Sequence, residues 1–182
     1  MEPKAYYEPF QPSGQSFRER VGDPGEIEAA LGLISMNFQA LESALSLSIS
    51  TLLGAERDTG RILTSELSFK QLLNVLVALT RNRVSSNMWQ GSQDVVKQLE
   101  ELASACFRME ELRNQYMHSV WIAAHLKASE GVRRKVTAKR AGLKEHVEVV
   151  SSSYLLDVAD YTAYVTSMLE NLYDLPFGAA DS

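Results

Sequence analysis

From Ile27 to Leu52 one stripe of positions steps by four and three in strict alternation: Ile27, Leu31, Ile34, Phe38, Leu41, Leu45, Ser48, Leu52. An α-helix turns about 100° per residue, so this spacing keeps one face aligned for roughly seven turns. A strand would scatter the same residues over both faces. The stripe therefore predicts a long amphipathic helix that has to bury that face, ending at Gly54. Upstream, Asp23-Pro24-Gly25-Glu26 reads as its start. Asp23 serves as N-cap, Pro24 occupies the first helical position, and Glu26 complements the positive helix end. Such a stripe suits packing within a bundle or pairing with another copy of itself.

Further along, the same period recurs. Glu56 to Leu67 is polar and reads as a turn with room for one short helix. Ser68 and Gln71 form a capping box for a second main helix carrying Phe69, Leu72, Leu73, Leu76, Val77 and Leu79. A third helix starts near Ser92, with Val95, Val96, Leu99, Leu102, Ala103, Cys106, Met109 and Leu112 in the three-four rhythm. The texture then changes. Residues 131–140 and 145–150 are short β-prone runs joined by Ala141-Gly142-Leu143-Lys144, which fits a hairpin. Ser151-Ser152-Ser153 caps a last helix with Leu155, Val158, Thr162, Val165, Leu169 and Leu172, ended by Pro176 and Gly178. The expected fold is all-α: an up-and-down bundle of four main helices with a small β-hairpin inserted before the last helix. Residues 1–22, broken by Pro3, Pro9, Pro12 and Gly14, read as an N-terminal arm, and 23–182 as the bundle domain.

Composition narrows the function classes. With 182 residues and 45% hydrophobic content, the chain can bury one sizeable core. No apolar run nears the ~20 residues that span a bilayer, and the N-terminus lacks an apolar leader core. The expectation is a cytoplasmic protein without a membrane partner. The single cysteine, Cys106, excludes an internal disulfide and sits on a helix face as a small packing residue. His118, His125 and His146 form no ligand motif with nearby carboxylates, so no metal or other cofactor is implied. A net charge of −5 gives no overall pull on nucleic acid. Any RNA contact rests on a local basic cluster, Arg133, Arg134, Lys135, Lys139 and Arg140, with Lys144 nearby. That cluster can track an RNA backbone or simply keep an exposed hairpin soluble.

One segment carries chemistry: Glu110-Glu111-Leu112-Arg113-Asn114-Gln115-Tyr116-Met117-His118. Asn114 and His118 lie four apart on one helical face, while Arg113 and His118 straddle it by about 140°. Histidine exchanges a proton near neutral pH. Arginine is a permanent forked donor matched to phosphate oxygens and to the charge that builds on them. Asparagine can orient the histidine or donate to phosphate. RNA brings its own nucleophile, the 2′-hydroxyl, so these three residue types suffice for cleavage without metal. The structural alternative is a polar helix end, with Arg113 paired to Glu110 or Glu111 and His118 favoured by the negative helix terminus.

The Arg113-Asn114-x3-His118 spacing resembles the R-x4-H signature of HEPN domains. The resemblance covers about residues 23–175, a small helical bundle with the motif late in the third helix region, and Leu112 and Trp121 also fit the group. It implies a metal-independent endoribonuclease, of the kind found in toxin–antitoxin and defence systems. Such proteins pair as homodimers, with the two motifs facing one cleft. Carried over, Arg113 contacts the scissile phosphate, His118 is the acid/base, and Asn114 assists; an antitoxin partner is implied as well. Val120 stands where some family toxins carry a modified tyrosine, so that mode of control is not implied. A second expectation is a non-catalytic helical dimer that binds RNA or protein, and a third is a bundle gripping a nucleotide phosphate.

Overall fold

The computed structural model describes residues 25–86, 93–122, 129–139 and 142–173. Among these residues the order is α1 (Glu26–Leu53), α2 (Arg57–Thr64), α3 (Phe69–Ser85), α4 (Gln93–Met117), β1 (Val120–Ile122), β2 (Glu130–Lys139), β3 (Gly142–Ser151) and α5 (Ser152–Leu172). The chain is mostly helical, with a small antiparallel sheet ahead of the last helix. The arm at 1–22, the expected caps Asp23 and Pro24, and the stop signals Pro176 and Gly178 lie outside the described residues. Among the described residues, no helix is long and apolar enough to cross a membrane.

Helix α1 is the hub. Every member of its stripe is buried except Leu31, which is half-buried. Gly25 stands at its N-cap in extended backbone with no side-chain cap bond. Glu26 and Glu28 lie in the first turn, where acidic charge suits the helix dipole. Gly54 ends the helix with φ +63°, a left-handed geometry that glycine adopts without steric penalty. Ser48, buried in the stripe, satisfies its hydroxyl on the Ala44 carbonyl at 2.8 Å. All four other helices pack on α1, α5 most extensively. Asn37 Nδ2 donates across that contact to the Ala159 carbonyl at 2.8 Å.

The remaining helices follow their sequence signals. Ser68 and Gln71 close the reciprocal box at the start of α3: Ser68 N–H donates to Gln71 Oε1 at 2.8 Å, and Gln71 N–H to Ser68 Oγ at 3.4 Å. Ser151 caps α5 by accepting from Tyr154 N–H at 3.3 Å. On α4, Leu99, Ala103, Cys106, Met109 and Leu112 face the core. Burial pushes the Cys106 thiol up to about 12, which fits an inert packing residue. The expected short helix between the first two main ones is α2.

The β region departs from expectation in two ways. Val120-Trp121-Ile122 forms a third strand, β1, antiparallel to β2, with Val120 opposite Arg134 and Ile122 opposite Val132. Three apolar residues, two of them β-branched, directly after a helix extend the hydrophobic pattern in either period, so spacing alone does not reveal the switch. The hairpin is also longer than expected. Pairing runs to Lys139 opposite Gly142, so Leu143 and Lys144 belong to β3 rather than to a connection. Gly142, at φ +118°, is the residue that tolerates the backbone entering β3.

Close approach between α1 and α2 depends on Gly60. It is buried, and an added methyl would sit 2.5 Å from Ser50 Cβ, a clash no rotamer relieves. The Ser46 and Thr64 hydroxyls bond each other across the same contact. Gly60→Ala is therefore expected to destabilise the fold by ~1–3 kcal/mol, the usual cost of overpacking, and to lower the urea midpoint accordingly. An unchanged midpoint would show that α2 sits farther from α1.

Candidate functional site

Arg113 and Asn114 occupy the closing turns of α4, and His118 is the first residue beyond it. The backbone N–H of His118 still reaches the Asn114 carbonyl at 3.3 Å, so the helical ladder carries the imidazole one turn above Asn114. His118 is exposed, whereas Arg113 and Asn114 are half-buried. Arg113 Nη1 donates to Asn114 Oδ1 at 3.0 Å. Its guanidinium carbon lies 5.3 Å from the centroid of the Phe38 ring on α1.

The pairing of Arg113 with Glu110 or Glu111 that the structural alternative called for does not form. Glu111 pairs with Arg108 at 3.2 Å. Among the described residues no carboxylate makes an ion pair with Arg113, and its buried Nε has no hydrogen-bond partner. A buried donor left unsatisfied costs ~1–3 kcal/mol, so its retention asks for a reason. One carboxyl does feel this charge. Glu42 on α1 is raised above its ordinary value by burial; Arg113 opposes that shift and Glu110 reinforces it. Phe38 and Glu42 were not legible as site residues. They lie one helical turn apart on α1, and nothing in the chain's spacing ties them to a motif on α4.

Contacts from the sheet cap the end of α4 just before His118. A helix terminus leaves carbonyls without partners. The Gln115 carbonyl accepts Arg133 Nη1 at 3.1 Å and the Ser119 hydroxyl as well. The Tyr116 carbonyl accepts Trp121 Nε1 at 3.0 Å. Arg133 thus supplies the positive charge that this helix end lacks in its own last turn. The rest of its guanidinium lies against a carboxylate and an aromatic ring. Nε lies 2.9 Å from Glu148 Oε1, its cross-strand neighbour, in ion-pair range though without hydrogen-bond alignment. The Tyr116 ring lies below, 5.5 Å from the guanidinium carbon. Tyr116 is buried against Trp121 and edge-on to Tyr154, and its hydroxyl is pushed well above the usual range, chiefly by burial.

The expected basic cluster is accordingly corrected. Arg133 is only 3% exposed and belongs to the interior, so it cannot follow an RNA backbone. Alternation in β2 divides the others. Arg134 is exposed on the opposite face, paired with Glu145, and Lys135 is half-buried on the Arg133 side. Lys139 pairs through its backbone with Gly142, and Arg140 lies outside the described residues. His146, near Glu148 Oε2 at 3.1 Å, belongs to the Arg133 network; His125 lies outside the described residues. Among the described residues, no three His, Cys, Asp or Glu side chains gather to hold a metal ion.

Comparison of the chain with protein-family models, curated proteins and solved structures returns no match.

Two outcomes test this geometry. Arg133→Met leaves Glu148 and the Gln115 carbonyl uncompensated. It should cost ~2–4 kcal/mol in urea denaturation, below the full penalty for breaking a buried pair because Glu148 stays partly hydrated. A loss under about 0.5 kcal/mol, typical of a surface position, would deny that Arg133 anchors α4. Glu42 gives a pH signature. Its folded-state carboxyl is raised from 4.5, so the native state keeps a proton that the unfolded chain has released. Its contribution is present at low pH and is lost as pH climbs from 4.5 through the raised value. Wild type minus Glu42→Gln stability should fall over that rise, and a flat or increasing difference would contradict the burial.

Proposed function

We propose that this protein is a HEPN-type, metal-independent endoribonuclease whose site is completed by a second copy of the chain. An up-and-down four-helix arrangement, a cytoplasmic location and an antitoxin partner go with this reading. His118 takes the proton from the RNA 2′-hydroxyl as that oxygen attacks the adjacent phosphorus. The leaving 5′-oxygen is then protonated by an imidazolium, and a 2′,3′-cyclic phosphate remains. Arg113 offsets charge on the non-bridging phosphate oxygens, and Asn114 holds the guanidinium in place. Lys135, Lys139 and Arg140 contribute to holding the RNA backbone. Arg133 does not, because it is buried.

The observation that carries the proposal is an exposed imidazole at the end of α4 with an arginine five residues before it on that helix. Among the described residues that arginine is unmatched by a carboxylate, and it retains an unsatisfied Nε. Arg133 also has a buried Nε without an aligned hydrogen bond, but it has a carboxylate in ion-pair range and donates to a main-chain carbonyl, whereas Arg113 has neither among the described residues. One feature favours the second reading, a non-catalytic RNA-, nucleotide- or protein-binding module: Arg113 is half-buried on Phe38, so part of its surface already packs within the fold.

The test is cleavage of single-stranded RNA in EDTA, with product ends analysed for cyclic phosphate. His118→Ala should lower the rate by about 10²–10⁴-fold, the usual worth of a general acid–base. Because His118 is exposed, that variant should keep wild-type stability. Arg113→Ala should lower the rate as well. Wild-type protein that leaves RNA intact yet retains it on a filter favours the binding module. Cleavage that persists in both variants removes the assignment.

A further inference from the structure

The sheet's register sorts its residues cleanly. Trp121, Arg133, Glu148 and Val150 share the face turned toward α4 and the core. The opposite face carries Val120, Ile122, Val136, Leu143, Val147 and Val149. An antiparallel sheet with one solvated face usually places polar residues there. Here the distal part of the inner face is solvated and polar, with Thr137, Lys144 and His146 exposed, while the outer face is solvated and apolar. Leu143 is 77% exposed, Val120 62% and Val149 61%. Among the described residues β1 covers only Val132–Arg134, so the distal half of the hairpin is a two-stranded ribbon there. Such a ribbon is marginal in water unless another surface packs on it.

We infer that this outer sheet face is where two copies of the chain pair, face to face about a twofold axis. Three observations select a second copy as the occupant. The first is charge. The face bears one ion pair, Arg134 with Glu145, and the half-buried Glu130 at its base. An opposite pair is self-complementary under a twofold, because each arginine can also meet the glutamate of the other copy. The second is area. Six large apolar side chains, each at least 42% exposed, gather on this one face, and a standard-size complex buries ~800 Å² per partner. A typical monomer's largest apolar patch is ~300–600 Å² and is often functional. The third is continuity. Val120 points outward two residues after the exposed His118, so pairing here sets both imidazoles along the rim of one interface. That last point rests on the proposed function; the pairing itself does not.

The experiment is sedimentation equilibrium of the whole chain and four variants, with circular dichroism to check folding. Wild type is expected to be a dimer in the micromolar range. Arg134→Glu and Glu145→Arg each place like charges across the axis and should weaken association at least 10-fold, while the double swap restores it. Val149→Glu, at an exposed position that costs a monomer little, should yield folded monomer. A monomeric wild type overturns the inference, and one that dimerises only after removal of residues 1–22 assigns the face to the chain's own N-terminal segment instead. Single variants that associate like wild type also overturn it. RNA cleavage by Val149→Glu separates the two proposals. A folded monomer that cleaves at the wild-type rate upholds the pairing and removes the shared cleft. A wild-type-like dimer that cleaves overturns the pairing and leaves the nuclease reading standing.

Discussion

A buried guanidinium holds the end of α4, and the candidate site depends on it. Taking a charge out of water costs several kcal/mol, so a nearly inaccessible arginine is tolerable only with compensation. Arg133 has it from Glu148, from the Gln115 carbonyl and from the Tyr116 ring. Those partners come from β3 and from the last turn of α4, so one side chain on β2 joins three elements. Ser152 extends the joint, its N–H on the Ser129 carbonyl at 2.8 Å and its hydroxyl on Glu26 Oε2 at 2.8 Å. The starts of α1 and α5 are thereby fixed to the base of the same sheet. Gly131 permits this closeness: a Cβ there would press on Trp121 and Ile27 at 3.2–3.3 Å.

The two arginines near this helix end have opposite environments. Arg133 is more deeply buried, yet it has both a carboxylate and a carbonyl. Arg113 is less buried and has one amide oxygen, one aromatic ring and no carboxylate in ion-pair range among the described residues. Stability alone would favour the reverse, since an unmatched charge is the more costly one to desolvate. Glu42 shows the balance from the other side: burial raises its carboxyl despite the Arg113 charge nearby. A cation held near a half-buried carboxyl, but not paired with it, keeps donor capacity for an anion from outside. That is why Arg113, and not the more conspicuous run of basic residues in the hairpin, is the arginine of chemical interest.

How much of this was legible follows from which contacts are local. The long helices were, because Ile27 to Leu52 and Leu155 to Leu169 repeat a period that only a helix satisfies over many turns. So were Gly54, the Ser68–Gln71 box and Ser151, whose bonds close within a few residues. The motif's own arrangement on α4 was equally local. Its surroundings were not. Phe38 and Glu42 meet Arg113 only through the packing of α1 on α4. β1 stayed hidden because its partner lies beyond a connection and its three residues prolong an apolar run. The basic cluster misled because charge was read without period. In a strand, positions 133 and 135 face away from 134, and that alternation by itself separates an interior cation from an exterior one.

Geometry also constrains how a lone imidazole and a lone guanidinium could act on one phosphodiester. Along α4 their directions differ by about 140°. Two groups so divergent converge on a phosphate only if the longer side chain wraps around the helix. Arg113 is poorly placed to wrap, because its guanidinium is stacked on Phe38 and bonded to Asn114. If the proposed chemistry operates, the economical solution is division between copies, with each phosphate gripped by one chain's arginine and deprotonated beside it by the other chain's histidine. That arrangement needs a contact surface close to His118 and outside the helical core. The outer face of the sheet begins two residues later, at Val120, so under the proposed pairing the strand that follows the motif would bring a second imidazole alongside the first.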